Sequence, residues 1–257
     1  MEERTNRIIR EINKTALDYY CSLLRGSQGK EALNCIKELG FTEETIDSFR
    51  LGYAECGKKS LVNHLNDLGY LDDQIIASDL AISDGDAGIE DIFQNRIIIP
   101  IIDDNNEIVG FSGRRVSKDD QPIYLTHRSP TADENRCLFG LDHACKSHAG
   151  YMIICEGPLD AISLHQIDFD MAVALMGIRF TIDVAELFKK HTQEIMVCCD
   201  RDAVGMKATK SIISILREVG IDSKQIDISP YRDPFEFITK EGRGAFEERI
   251  RRSREYA

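Results

Sequence analysis

The sequence predicts an α/β chain: a mixed helical and antiparallel N-terminal part, then a parallel sheet covered by helices. Two observations predict it. From Tyr151 onward, short apolar runs alternate with helical patterns four times, and fully apolar strands between helices are the mark of a parallel sheet buried on both faces. Upstream, two apolar runs flank an Asp/Asn turn, which is a hairpin signature.

The elements follow in order. "NKTALDYYCSLL" carries Ala16, Leu17, Tyr20, Leu23 and Leu24 at helical spacing. "GKEALNCIKELGFTEETIDSFRLGYA" reads as two short helices, the first ended by Gly40 and the second capped by Thr42. "KKSLVNHLNDLGY" and "LDDQIIASDLAIS" repeat the helical pattern, and "SDGDAGIED" is a turn-rich break. "NRIIIPIID" and "DNNEIVGFSGRRV" form the hairpin, with "PIYLT" as a third strand. Then come strand "YMIICEG" and helix "PLDAISLHQI", strand "MAVALMG" and helix "TIDVAELFKKH", strand "EIMVCCD" and a long helix from Ala203. Strand "KQIDIS" and a final helix from "DPFEF" close the chain.

With 32 Lys and Arg against 44 Asp and Glu, the net charge is −12. Nucleic-acid binding is driven by cations that displace counterions from phosphates. A nucleic-acid role here must therefore use a local basic surface or bound cations. No apolar run approaches the roughly 20 residues that span a bilayer, and "MEERTNRIIREINK" has no signal-peptide core, so a cytoplasmic protein is expected. The eight cysteines form no CxxC pair, which predicts reduced thiols. Cys137, His143, Cys145 and His148 match no common zinc spacing and read as part of a helix leading into the next strand.

Ligands of open parallel sheets bind beyond the carboxyl ends of the strands. Glu156 ends one predicted strand, Asp200 and Asp202 end another in "CCDRD", and Asp233 precedes the last helix. Carboxylates gathered without matching cations repel one another, and a divalent cation removes that repulsion. Mg²⁺ suits such a site, because it takes hard oxygen ligands and keeps positions open for phosphate oxygens. Helix caps and loop acids are the competing reading: Asp200 or Asp202 would cap the helix at Ala203. Asp160, in the first turn of its helix, reads as structural.

"EGPLDAISLHQ", followed some forty residues on by "DRDAVGMKA", resembles the Toprim signature shared by DnaG-type primases, type IA and II topoisomerases, OLD nucleases and RecR-type repair proteins. "FRLGYA", "NRIIIPIIDDNNEIVGFSGRRV", "PIYLTHRSP" and "RCLFGLDHA" then resemble, in order, the N-terminal half of the bacterial primase catalytic core, so the resemblance spans essentially the whole chain. It implies a primase-type α+β N-terminal subdomain at 1–146, a Toprim α/β subdomain at 147–229 and a C-terminal helical segment at 230–257. It implies a stand-alone core, without zinc-ribbon or helicase-binding domains, that synthesises short RNA primers on single-stranded DNA.

The resemblance places Glu156 near the reacting phosphate, and Asp200, Asp202 and Asp233 as ligands of Mg²⁺ or Mn²⁺. It assigns Arg96 and Arg114 to a nucleotide and template groove. Tyr124 is either a groove residue or a core tyrosine. Arg115, Lys118, His127 and Arg128 are further basic groups of that segment. Implied partners are the DNA template, ribonucleoside triphosphates, a separate zinc-finger protein and a replicative helicase. The chain departs from the family pattern at Ile123 and Glu134, where lysines are usual, and at Arg201, usually a small residue. Tyr231 stands near where a second late carboxylate is usual. These losses keep a Toprim nuclease, or a non-enzymatic accessory Toprim protein, as alternatives. The basic tail Arg249, Arg251, Arg252 and Arg254 is either a solvated helix face or a nucleic-acid contact.

Overall fold

In a computed structural model of the chain, described over residues 2–83, 85, 88–117 and 120–255, the N-terminal residues spaced three and four apart form the buried face of helix α1 (Glu2–Arg25). Ala16, Leu17, Tyr20, Leu23 and Leu24 are all buried there. The chain folds as two units, Met1–Ile101 with Glu107–Asp133, and Ile102–Asn106 with Glu134–Ala257.

In the first unit, α2 (Lys30–Glu38) and α3 (Glu43–Ser48) follow α1. Gly40 lies just past α2 at φ +90°, and Thr42 caps α3 by accepting a hydrogen bond from the Thr45 N–H at 3.1 Å. The helical reading fails at "LGYA". Arg50 turns to φ +49°, and Gly52–Ala54 forms strand β1, which pairs antiparallel with β4 (Arg96–Ile102). Gly52 permits this, since a Cβ there would lie 2.6 Å from the Tyr20 Cβ on α1. Helices α4 (Ser60–Asp67) and α5 (Asp72–Ala77) come next. A second departure follows: "AIS" leaves the helical pattern as β2 (Ala81–Ser83), paired antiparallel with β3 (Ile89–Asp91) across the turn-rich break. The expected hairpin and third strand are present as β4, β5 (Ile108–Arg115) and β6 (Tyr124–Arg128), in a sheet of order β1-β4-β5-β6. Ile12, Ala16, Leu17 and Tyr20 of α1 share one core with Ile98 and Phe111 of this sheet.

The second unit contains a 3₁₀ turn (Glu134–Arg136), the short helix α6 (Leu141–Ala144), and the predicted alternation. Strands β7 (Met152–Cys155), β8 (Ala172–Ala174), β9 (Glu194–Val197) and β10 (Asp222–Gln225) form a parallel sheet of order β10-β9-β7-β8. Helices α7 (Pro158–Gln166), α8 (Ile182–Lys189) and α9 (Ala203–Glu218) connect them, and α10 (Pro234–Glu255) closes the chain with a break at Gly242, φ +74°. The fourth strand differs from expectation. It is the polar "DSKQ" two residues earlier, because β10 is an edge whose place is set by its backbone ladder to β9. Ile226 and Ile228 are buried just beyond it. Cys155, Cys198 and Cys199 are buried thiols, and all the cysteines are free. No helix of the described residues is long and apolar enough to cross a membrane.

A candidate carboxylate metal centre

The site is assembled by strand ends of the second unit. The apolar run of β7 stops at Cys155, which brings Glu156 to the carboxyl end of a central strand, beside the end of neighbouring β9. Glu156 is held from both directions. Its carbonyl accepts from the Met176 N–H at 2.9 Å, and its Oε1 accepts from the Asp200 N–H at 3.1 Å. The two strand ends are thus joined through the carboxylate itself.

Asp202 is the N-cap of α9, its Oδ1 accepting from the Gly205 N–H at 2.7 Å. Asp233 caps α10 by accepting from the Glu236 N–H at 2.7 Å, and its Oδ2 pairs with Arg232. The cap reading therefore holds for Asp202, with its second carboxylate oxygen outside the cap bond. The Arg201 N–H donates to the Arg232 carbonyl at 2.7 Å, which fastens the "DRD" loop to the Asp233 segment.

Asp200 has a different environment. Its Oδ1 is buried with no hydrogen-bond partner. Burial pushes its carboxyl up to about 6, and the charges of Glu156, Asp233 and Asp202 push the same way. An orphaned carboxylate oxygen facing other carboxylates is costly unless a cation meets it. Hard oxygen donors with like charge fit a small divalent ion. No three His, Cys, Asp or Glu side chains among the described residues are already gathered at ligand spacing. The partners just given account for this, because the other three carboxylates are turned toward backbone N–H groups.

Two positioning residues were not read as such from the sequence. Asp160 is buried, and burial pushes its carboxyl up to about 7, helped by the charge of Asp200. Its Oδ2 accepts from the Gly157 N–H and its Oδ1 from the Phe235 N–H, both at 3.0 Å. It ties the Glu156 turn to the start of α10. Gly205 is the other. A Cβ there would stand 2.2 Å from the Asp200 carbonyl and 2.6 Å from Glu156 Oε1. We expect Gly205→Ala to lower activity at least about tenfold, because the methyl must displace the Asp200 backbone as well as the Glu156 carboxylate, and displacements near 1 Å cost that much or more. Circular dichroism and an incorporation assay on the same preparation check it; an active, folded variant would show that the contact is slack.

The residues expected in a groove lie in the first unit. Arg96 is only 5% exposed. Its guanidinium donates to the carbonyls of Gly113 (3.0 Å), Pro122 (2.9 Å) and Gln121 (3.3 Å). That guanidinium holds the 121–122 segment to β4, a structural task beside the groove role expected of it. Arg96→Met should lower stability by about 3 kcal/mol, since buried charge-assisted bonds are lost and carbonyls left unpaired. A denaturant midpoint unchanged by the substitution would refute this. Arg114 sits on β5 opposite Tyr124 on β6, half-buried, with its Nε buried and without a hydrogen-bond partner. Arg115 donates to the Asp120 carbonyl at 2.9 Å, and Arg128 is half-buried at the end of β6. His127 Nδ1 lies 2.7 Å from Asp79 Oδ2. Lys118 lies outside the described residues. Ile123, at a position where a lysine was expected, is 47% exposed, and Glu134 is exposed in its 3₁₀ turn. In the second unit, the tail arginines are engaged: Arg251 and Arg252 pair with Glu248, Arg254 with Glu194, and Arg249 donates to the Ser229 carbonyl.

Comparison with known proteins places this geometry in a family. Residues 19–145 match the model of the DNA primase catalytic core, N-terminal domain, and residues 153–238 match a Toprim-like domain. The chain belongs to the DnaG-type primase catalytic cores. It is 36% identical over 209 residues to a DNA primase of Clostridium acetobutylicum, covering 80% of this chain and 35% of that protein. Against a DNA primase of Listeria monocytogenes the identity is 30% over 255 residues, covering 97% and 41%. The chain thus spans about two fifths of the length of these relatives. The Aquifex aeolicus primase, solved with its zinc binding and RNA polymerase domains, superposes with a TM-score of 0.87 at 28% identity, covering 97% of this chain and 62% of that one. A DnaG primase catalytic domain bound to single-stranded DNA shares the fold with a TM-score of 0.89 at 23% identity, covering 98% and 80%. Glu156, Asp200, Asp202 and Asp233 all fall inside the Toprim-like match.

Proposed function

We propose that this primase core synthesises short RNA primers on single-stranded DNA, with Mg²⁺ or Mn²⁺ held by Glu156, Asp200, Asp202 and Asp233. The observation that carries the reading is the buried, unpartnered Asp200 Oδ1 among these carboxylates, in a chain of this family. A bound divalent ion would supply charge neutralisation at the reacting phosphates and activation of the attacking hydroxyl. The protein groups do the positioning. Glu156 holds the β9 end through the Asp200 N–H, Asp202 presents its outer oxygen from a helix cap, Asp233 would have to release its Oδ2 from Arg232 to reach an ion, and Asp160 locks the two carrying segments together.

Template DNA and ribonucleoside triphosphates are the proposed substrates. A separate zinc-finger protein and a replicative helicase are the proposed partners. Arg96, Arg114, Arg115 and Arg128 are the proposed groove cations of the first unit, with Tyr124 as the proposed stacking ring. The test is incorporation of labelled ribonucleotides on single-stranded DNA with Mg²⁺ or Mn²⁺, with and without a zinc-finger partner. Products that lengthen with added nucleotides support the reading. DNA or RNA fragments formed without nucleotides would replace it with hydrolysis.

A further inference from the structure

The chain carries an excess of acid, yet one surface of its second unit has cations that the acids leave alone. Helix α9 has the sequence AVGMKATKSIISILRE, with no carboxylate before its last residue, Glu218. Its inward residues are Gly205, Thr209, Ile212 and Leu216. On the opposite face, Lys207, Lys210, Ser214 and Arg217 fall at i, i+3, i+7 and i+10, which is one stripe of a helix with 3.6 residues per turn. All four are exposed, and the three cations form no ion pair among the described residues. The contrast is with α10, where Arg243, Arg251, Arg252 and Arg254 are each paired with a carboxylate.

The stripe has a defined beginning and end. It begins at the site, because Asp202 caps α9 and Gly205 touches Glu156 and Asp200. Arg201 stands exposed at its head, with Asp227 near enough to feel its charge. From Lys207 to Arg217 the stripe runs about 15 Å along the helix, at 1.5 Å per residue. That length is enough for more than one phosphate of a nucleic-acid strand. At its far end Arg217 lines a cleft of 510 Å³ together with Asp227 and with Lys224 and Arg252, which are already paired with Glu194 and Asp222 and with Glu248, so Arg217 is the cation that α9 adds unpaired among the described residues.

We propose that this face of α9 is a phosphate track, along which the backbone of a nucleic-acid strand runs away from the carboxylate site. Exposed Val204 and Met206 flank the head of the track and offer apolar surface to a sugar or base there. The track rests on the reading of the site as a nucleotidyl-transfer centre. It also meets the requirement set by the −12 charge, that nucleic acid be held by a local basic surface.

The test is binding of a fluorescent single-stranded DNA, followed by anisotropy across a salt series. The full chain is compared with the triple variant Lys207→Gln, Lys210→Gln, Arg217→Gln. Loss of three phosphate contacts should flatten the slope of log affinity against log salt by about 2 and weaken binding at least about tenfold at 50 mM salt. The variant Lys207→Arg, Lys210→Arg should bind as wild type. The pair Arg243→Gln, Arg251→Gln, from the neutralised helix, should also leave the slope alone. An unchanged slope in the triple variant, or equal loss in the α10 pair, overturns the track while primer synthesis stands. Wild type that binds DNA through the stripe but incorporates no ribonucleotide overturns the primase reading and leaves the track in place.

Discussion

Replacing Glu156 by Gln should reduce ribonucleotide incorporation by about 10²–10⁴-fold, the range for losing one acid–base or charge-stabilising group at a reacting centre. The substitution is nearly isosteric. Gln keeps an oxygen that can accept from the Asp200 N–H at 3.1 Å, so the join between β7 and β9 is preserved. What it removes is a charge facing Asp200. Burial and the charge of Glu156 lead the causes that hold the Asp200 carboxyl near 6, so in Glu156→Gln that carboxyl should titrate lower. Two readouts therefore move in ways a merely structural Glu156 would not produce. Activity falls with folding intact, and the acid limb of the metal-binding pH profile shifts down. Retained activity within threefold of wild type would remove Glu156 from the reaction.

The parts of the fold that were legible in the sequence share one property: their pattern is forced by burial. The strands β7, β8 and β9 are apolar because both faces of the sheet are covered, so "MIIC", "AVA" and "EIMV" stand out between helices. The caps at Thr42 and Asp202 were readable, since orphan N–H groups ask for a short side-chain oxygen. Strand β10 broke the rule because an edge strand is specified by its ladder to β9, and its side chains are free to be polar. β1 broke it because its reason is a close approach to Tyr20 that only the packed structure contains.

The same distinction runs through the site. Glu156, Asp200 and Asp202 could be singled out because they end apolar strands and Asp233 because it precedes a helix, although capping was an equally readable role and is the one Asp202 and Asp233 also fill. Gly205 could not, because its importance is a distance of 2.6 Å to a carboxylate that is 49 positions away in the chain. Arg96 was legible as a basic residue of its segment, but its bracing role was not. Arginine is read as a surface cation, but three carbonyls within 3.3 Å turn it into a buried brace. The clustered arginines of the tail drew attention by density, whereas pairing separates neutralised from available charge. By that measure α9, with its wider-spaced lysines, is the more open surface.

Asp200→Asn should raise the stability of the metal-free protein while abolishing its response to Mg²⁺, two effects of opposite sign from one atom. The carboxylate is half-buried, and its Oδ1 has no partner while Glu156, Asp202 and Asp233 repel it. Neutralising it should gain about 1–2 kcal/mol, at the low end of the cost of an unsatisfied buried polar group because part of the carboxyl stays wet. In a chain of this size that is about 2–4 °C in Tm. Asp160 and Asp200 both have carboxyls raised in the folded state, to about 7 and about 6. Between about pH 4 and pH 7 the folded protein therefore holds protons that the unfolded chain has released. Metal-free stability should fall as pH rises through that window, and most of the Asp200 share of the fall should vanish in Asp200→Asn. Added Mg²⁺ should raise the Tm of wild type at neutral pH, as any ligand specific for the folded state does, and leave Asp200→Asn unmoved. Thermal melts at pH 5 and pH 8, with and without 10 mM Mg²⁺, separate the outcomes. A variant less stable than wild type at pH 8 without metal would mean that Asp200 has a favourable partner. A variant that still gains stability from Mg²⁺ would move the binding site away from this carboxylate.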